Sequence, residues 1–143
     1  MSLDYNLYLQ SGVHYQELTD LTNPSLLLPG IKSTSMVDLT GCPRDLAFSD
    51  TIWFQAAGFV SLEIDPSVDD VHGLVGVHTV LQRTLDLLSR ISGDAALVVN
   101  ADTIVYVRHS NQLILNLDWG WDDYRRSLVS IPAITQPLEF LIE

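Results

Sequence analysis

Asp118, Trp119, Trp121, Asp122, Asp123 and Tyr124 fall within seven consecutive residues, three carboxylates interleaved with three large rings. Tryptophan and tyrosine anchor protein interfaces because they bury a large area with few rotatable bonds. Carboxylates beside them would steer and pair with a basic partner. The plainer alternative has Trp119 and Trp121 folding back over a sheet edge while the acids face water. A metal site built from Asp118, Asp122 and Asp123 would need further oxygen ligands, so no metal is expected.

Asp69, Asp70 and His72 form a second acidic constellation that could bring a carboxylate and an imidazole together on a first helical turn. A metal site needs three or four converging ligands, and this motif offers two at most on one face. Its plainer reading is a pair of helix-start acids beside a solvated histidine. With Asp65, the two acids form a second candidate contact surface; with His72, they form a candidate centre for a small enzyme. His78 falls on an apolar stripe and reads as a boundary residue, and His109 falls in a turn. Cys42 could pair with His14 or His78 as a nucleophile, but its loop precedes no helix that would lower the thiol pKa. It reads as a semi-buried small residue. There is no glycine-rich phosphate loop, nucleophile elbow or paired-histidine helix, so neither catalytic residues nor a cofactor is expected.

These residues need elements to hold them. Leu3, Tyr5, Leu7 and Leu9 alternate with polar neighbours at a strand's period of two. His14–Thr22 predicts a short helix ended by Asn23-Pro24, and Met36–Leu39 a short strand in an otherwise weak stretch. Strands follow at Ile52–Phe54 and Phe59–Ile64. Residues 67–92 predict one long amphipathic helix: Ser67 as N-cap, Asp69 and Asp70 in the first turn, and an apolar stripe from Val71 through Ile91. Gly93 ends it in a left-handed turn. Gly73 and Gly76 inside it each cost about 1 kcal/mol relative to alanine unless close packing requires them. Ala95–Val99, Thr103–Arg108 and Leu113–Leu117, separated by short polar loops, predict an antiparallel meander. Asp118–Arg126 reads as an exposed loop entering a helical turn, and Leu138–Ile142 as an edge strand. The fold expected is α+β: a single domain, residues 1–143, with an antiparallel sheet whose C-terminal three-strand meander packs against the long helix.

Composition narrows the function. Of 143 residues, 18 are acidic and 7 basic, a net charge of −11. Residues 1–65 carry eight acids and two bases, residues 66–143 ten and five. Nucleic-acid binding needs clustered lysine and arginine, so no nucleic-acid partner is expected. Cys42 is the single cysteine, which rules out an internal disulfide and fits a reducing compartment. The opening MSLDYNLYLQSG has no basic region of the kind a signal peptide carries. No run approaches the roughly 18 apolar residues of a membrane span. A soluble, cytoplasmic protein with no membrane partner is expected.

The opening MSLDYNLYL, the helix ending Leu87-Leu88, the run from Gly93 to Asn100 (GDAALVVN) and that from Leu113 to Trp119 (LILNLDW) resemble the Sit-type bacterial immunity proteins. The resemblance covers the N-terminal strand and roughly residues 70–130. Relatives carry Asn-Gly at the first hairpin, where this chain has Asn100-Ala101-Asp102. The resemblance implies a cytosolic antidote to a polymorphic toxin exchanged between kin cells, and it carries no catalytic residues. Such a protein acts by binding, and its acidity suits a toxin that is basic around its active site. The expected contact residues are Asp118, Trp119, Trp121, Asp122, Asp123 and Tyr124, with Asp65, Asp69 and Asp70 as the second surface. A non-catalytic adaptor would use the same surface, and the enzyme reading rests on Asp69, Asp70 and His72.

Overall fold

The computed structural model describes residues 3–10, 28–39, 41–65 and 74–140. Along them run β1 (Asp4–Leu9), β2 (Ile31–Asp38), β3 (Arg44–Ala47), β4 (Trp53–Ala56), β5 (Gly58–Ile64), α1 (Leu74–Arg90), β6 (Ala95–Val99), β7 (Thr103–His109), β8 (Gln112–Asn116), α2 (Asp123–Ser127) and β9 (Ala133–Gln136). Seven strands form one sheet in the order β2-β5-β1-β6-β7-β8-β9, and β3 pairs with β4 alone. Every pairing is antiparallel except that of β8 with β9. The class is mixed α+β with a mostly antiparallel sheet.

Side chains alternate across a strand, so the sheet has two faces to bury, and both are covered. On one, Tyr5, Leu7, Leu62, Leu97 and Leu115 pack with Val77, Val80, Leu81 and Leu88 of α1. On the other, Tyr8, Ala96, Val98, Val107 and Ile114 pack beneath Leu46, Phe48 and Phe54 of the β3–β4 hairpin and beneath Leu138. This is why β6, AALVV, is buried at all five positions: a continuous apolar run marks a strand covered on both sides. Each fully buried leucine or valine contributes about 1.5–3 kcal/mol of transfer free energy.

Gly76 meets an actual requirement in α1. A Cβ placed on it would fall 2.9 Å from the Gly30 carbonyl oxygen and 2.7 Å from the Ile64 side chain. The helix crosses the Pro29-Gly30 turn at backbone contact, and Thr79 donates to the Pro29 carbonyl at 2.6 Å. At the other end Gly93 takes φ +101°, the left-handed conformation that ends a helix. Arg108, 6% exposed, reaches across from β7 and donates to the carbonyls of Leu88, Ile91 and Gly93. One guanidinium thus serves carbonyls that the helix leaves without partners.

β7 carries a bulge. Leu97 opposes Tyr106 but Val98 opposes Ile104, leaving Val105 as the extra residue. Val105 and Tyr106 therefore both enter the helix-side core, with Ile104 and Val107 on the other face. Both turns of the β6–β7–β8 run have two successive residues at positive φ, Asn100 and Ala101, then Ser110 and Asn111. Two successive positive φ values are what a type I′ turn requires, with Ala101 in the first turn and Asn111 in the second where glycine is usual.

Several expectations need correction. The edge strand near the C-terminus is β9, not Leu138–Ile142; Leu138 turns inward to 6% exposure because the hairpin-side core takes it. The weak stretch before Asp50 holds two strands, β2 and β3. Cys42 is exposed rather than semi-buried, on the turn before β3. Of the helix expected over residues 67–92, the structure describes α1, Leu74–Arg90. Ser67, Asp69, Asp70, His72, Gly73 and the expected helix at His14–Thr22 lie outside the described residues.

Candidate functional site

Asn116 closes β8 and anchors the segment after it. It is 2% exposed; its side-chain amide donates to the Ile104 carbonyl at 2.7 Å, and its oxygen accepts the N–H groups of Asp118 and Leu138. From there the chain crosses the end of the sheet. Trp121, 8% exposed, enters the helix-side core and donates its indole N–H to the Val105 carbonyl at 2.9 Å. The bulge leaves Val105 without a partner in β6, and Trp121 serves its carbonyl while Asn116 serves that of Ile104, as buried acceptors require. The surface expected around Trp121 is therefore built without its ring.

Trp119 is half-buried, edge-on to Trp121 at 5.1 Å, with the Arg125 guanidinium 4.8 Å above its ring. Arg125 also donates to the Gly120 carbonyl. Asp122 caps α2 by accepting the Arg125 N–H at 2.8 Å, which satisfies a donor at the helix start. Arg126 donates to the Trp121 carbonyl and to Thr135. Both arginines thus fold back onto their own segment.

Asp118, Asp122, Asp123 and Tyr124 remain exposed, but they open in two directions. Tyr124, 54% exposed, lies 4.5 Å from the His78 ring of α1, on the helix face. Asp118 lines an open cleft of about 620 Å³ on the hairpin side, with Asp50 and Glu139 as its other acids and Phe48, Pro137 and Leu138 as apolar walls. Asp65 is half-buried just beyond β5, its N–H on the Gly30 carbonyl. Strand register places Asp4, Asp65, Asp102 and Asp118 all at one end of the sheet. The structure thus brings Asp118 and Asp65, one residue of each expected surface, to a common end, while Asp69 and Asp70 lie outside the described residues.

Asp50, Glu139 and Trp53 were not expected in the site. Trp53 is 62% exposed, the most open of the large apolar side chains among the described residues. Its alternation with buried Phe54 inside β4 was the available signal. Nothing in local spacing links Asp50, Asp118 and Glu139. Among the described residues no group of three His, Cys, Asp or Glu side chains converges to hold a metal.

Among the described residues burial shifts three groups. It pushes the Tyr5 hydroxyl up to about 12, with the nearby Arg125 charge pulling the other way. Tyr106 is raised further by complete burial. Burial also lowers Arg108, while Tyr106 and Asp94 oppose that shift.

The fold and this acidic, pre-built sheet end are those of a small α+β protein whose organised surface lies at strand termini and loops. The chain belongs to the SitI3-like family, a family of Sit-type immunity proteins, whose profile matches residues 45–125. That match begins in β3 and ends in α2, so it takes in the hairpin and omits β1, on which the resemblance had partly rested. No curated protein and no solved structure matches the chain significantly. No helix among the described residues is long and apolar enough to cross a membrane.

Proposed function

We propose that this protein is a single-domain, non-catalytic antidote that binds a cognate bacterial toxin in the cytoplasm and covers its active site or an adjacent surface. Membership of the SitI3-like family supports the immunity reading. The observation that carries the binding reading is the construction of the Asp118–Tyr124 segment. Its carboxylates and Tyr124 face water, while Asn116 and Trp121 fix its backbone to the sheet. A surface held in place before binding loses little conformational entropy on association. With a net charge of −11, the protein would attract a basic partner and raise the encounter rate.

Asp118, Asp122, Asp123, Tyr124 and the half-buried Trp119 are the proposed contacts, with Asp65, Asp69 and Asp70 as a second candidate surface; Trp121 would act from beneath. Co-expression with the toxin encoded next to this gene tests the reading. Survival only when this protein is present is the expected result. Equal killing with and without it would end the proposal.

A further inference from the structure

Trp53 and the acidic cleft share the tip of the β3–β4 hairpin. The Ser49–Thr51 loop at that tip supplies Ser49 and Asp50 to the cleft wall, and Trp53 opens β4 immediately afterwards. We propose that this hairpin tip is a docking face for a basic protein partner, with an arginine or lysine of the partner over the Trp53 ring and a neighbouring cation in the cleft. The proposal rests on the immunity reading and names the surface and the chemistry it would recognise.

Three observations carry it. Trp53 pairs across the hairpin with Ala47, a neighbour too small to cover an indole, so the ring stands 62% exposed. The hairpin beneath it is rigidly seated: Leu46 and Phe54 are fully packed, and Phe48 and Phe54 stack at 5.8 Å. Two other rings have an arginine over them, Arg44 over Tyr8 and Arg125 over Trp119. Among the described residues no cation covers Trp53. A cation over an indole is a favourable contact, stronger once desolvated.

Charge complementarity decides the occupant. Asp50, Asp118 and Glu139 line one cleft, and their carboxylates make no ion pair with a described residue. A second copy of this chain would bring its own −11 charge against that cleft, which like-charge repulsion opposes. A basic polypeptide meets both features together.

The test uses the full chain and two probes: the neighbouring gene's toxin, inactivated in its catalytic centre, and a synthetic arginine-rich peptide. Trp53→Ala should weaken toxin binding about 10- to 100-fold, as a hot-spot truncation does. Asp50→Lys with Glu139→Lys should slow association about tenfold or more and flatten its salt dependence. All three positions are exposed, so circular dichroism should be unchanged. The peptide should quench wild-type tryptophan emission and leave Trp53→Phe unaffected.

Toxin binding that is unchanged in every variant overturns the docking face while leaving the immunity reading intact. Failure of wild type both to bind the toxin and to rescue cells removes the immunity reading instead, and the peptide titration then decides the face by itself. A change from dimer to monomer in Trp53→Ala, seen by sedimentation, would assign the ring to self-association and overturn the proposal.

Discussion

The indole N–H of Trp121 donates to the carbonyl of Val105 at 2.9 Å, and Val105 is the one residue of β7 that the bulge leaves without a partner in β6. A tryptophan sixteen positions along the chain thus supplies the hydrogen bond that a strand irregularity withholds. It turns a residue that looks like a surface anchor into part of the core.

Replacing Trp121 by phenylalanine keeps most of the packing but strands the Val105 carbonyl. An unsatisfied buried acceptor costs about 1–3 kcal/mol. Urea denaturation should show a lower midpoint with an unchanged slope. Trp119→Phe, at a half-buried ring, should cost less than Trp121→Phe.

Arg108→Met removes the donors that serve the Leu88, Ile91 and Gly93 carbonyls. Methionine fills similar space but has no N–H. A loss of about 3 kcal/mol is expected from leaving several acceptors at the helix end unserved. Arg108→Lys should recover only part of it, because an ammonium cannot span three carbonyls as a planar fork does. Thermal unfolding of the two variants would rank them.

Ala101 sits at φ +63°, where a Cβ meets steric resistance that glycine avoids. Ala101→Gly should stabilise the first hairpin by about 0.5–1 kcal/mol, the relieved strain exceeding the added unfolded-state freedom. A rise in melting temperature would confirm it. A fall would mean that the alanine methyl makes contacts worth more than the strain.

Tyr5 makes stability depend on high pH. Its folded-state pKa is pushed up to about 12 from the ordinary 10, so the folded protein holds that proton where the unfolded chain releases it. The resulting stabilisation is fully present below about pH 10 and is lost as pH rises through about 12. Alkaline unfolding monitored by circular dichroism should begin at higher pH in Tyr5→Phe than in wild type.

The helix-side half of the fold was legible where its residues obey local periods: Tyr5, Leu7 and Leu9 at every second position, Leu81, Leu85 and Leu88 at four and three, although Val77 and Val80 are buried where the expected stripe had Val75 and His78. The hairpin side was not. Leu46, Phe48 and Phe54 sit among glycine, proline and small polar residues, and their burial depends on a sheet face assembled from β1, β6, β7 and β8. Arg108 looked like an ordinary strand terminus, since its carbonyl partners lie 15 to 20 residues earlier. The same separation divided the candidate site. The Asp118–Tyr124 cluster was visible as composition, but Asp50 and Glu139 join Asp118 only through tertiary packing. Trp121 entered the core because of a bulge that no local pattern announces.

Asn116 hydrogen-bonds the backbone at Asp118 and at Leu138, one residue before Glu139, so both segments of one cleft wall are set from inside the protein. The carboxylates that project from them are held by no ion pair with the described residues. On the proposed docking face, substitutions at Asp118, Glu139 or Asp50 would therefore alter recognition without disturbing folding, and a lineage could exchange one partner for another by drifting these few side chains. In such a protein, specificity is free to diversify quickly on a framework that changes slowly.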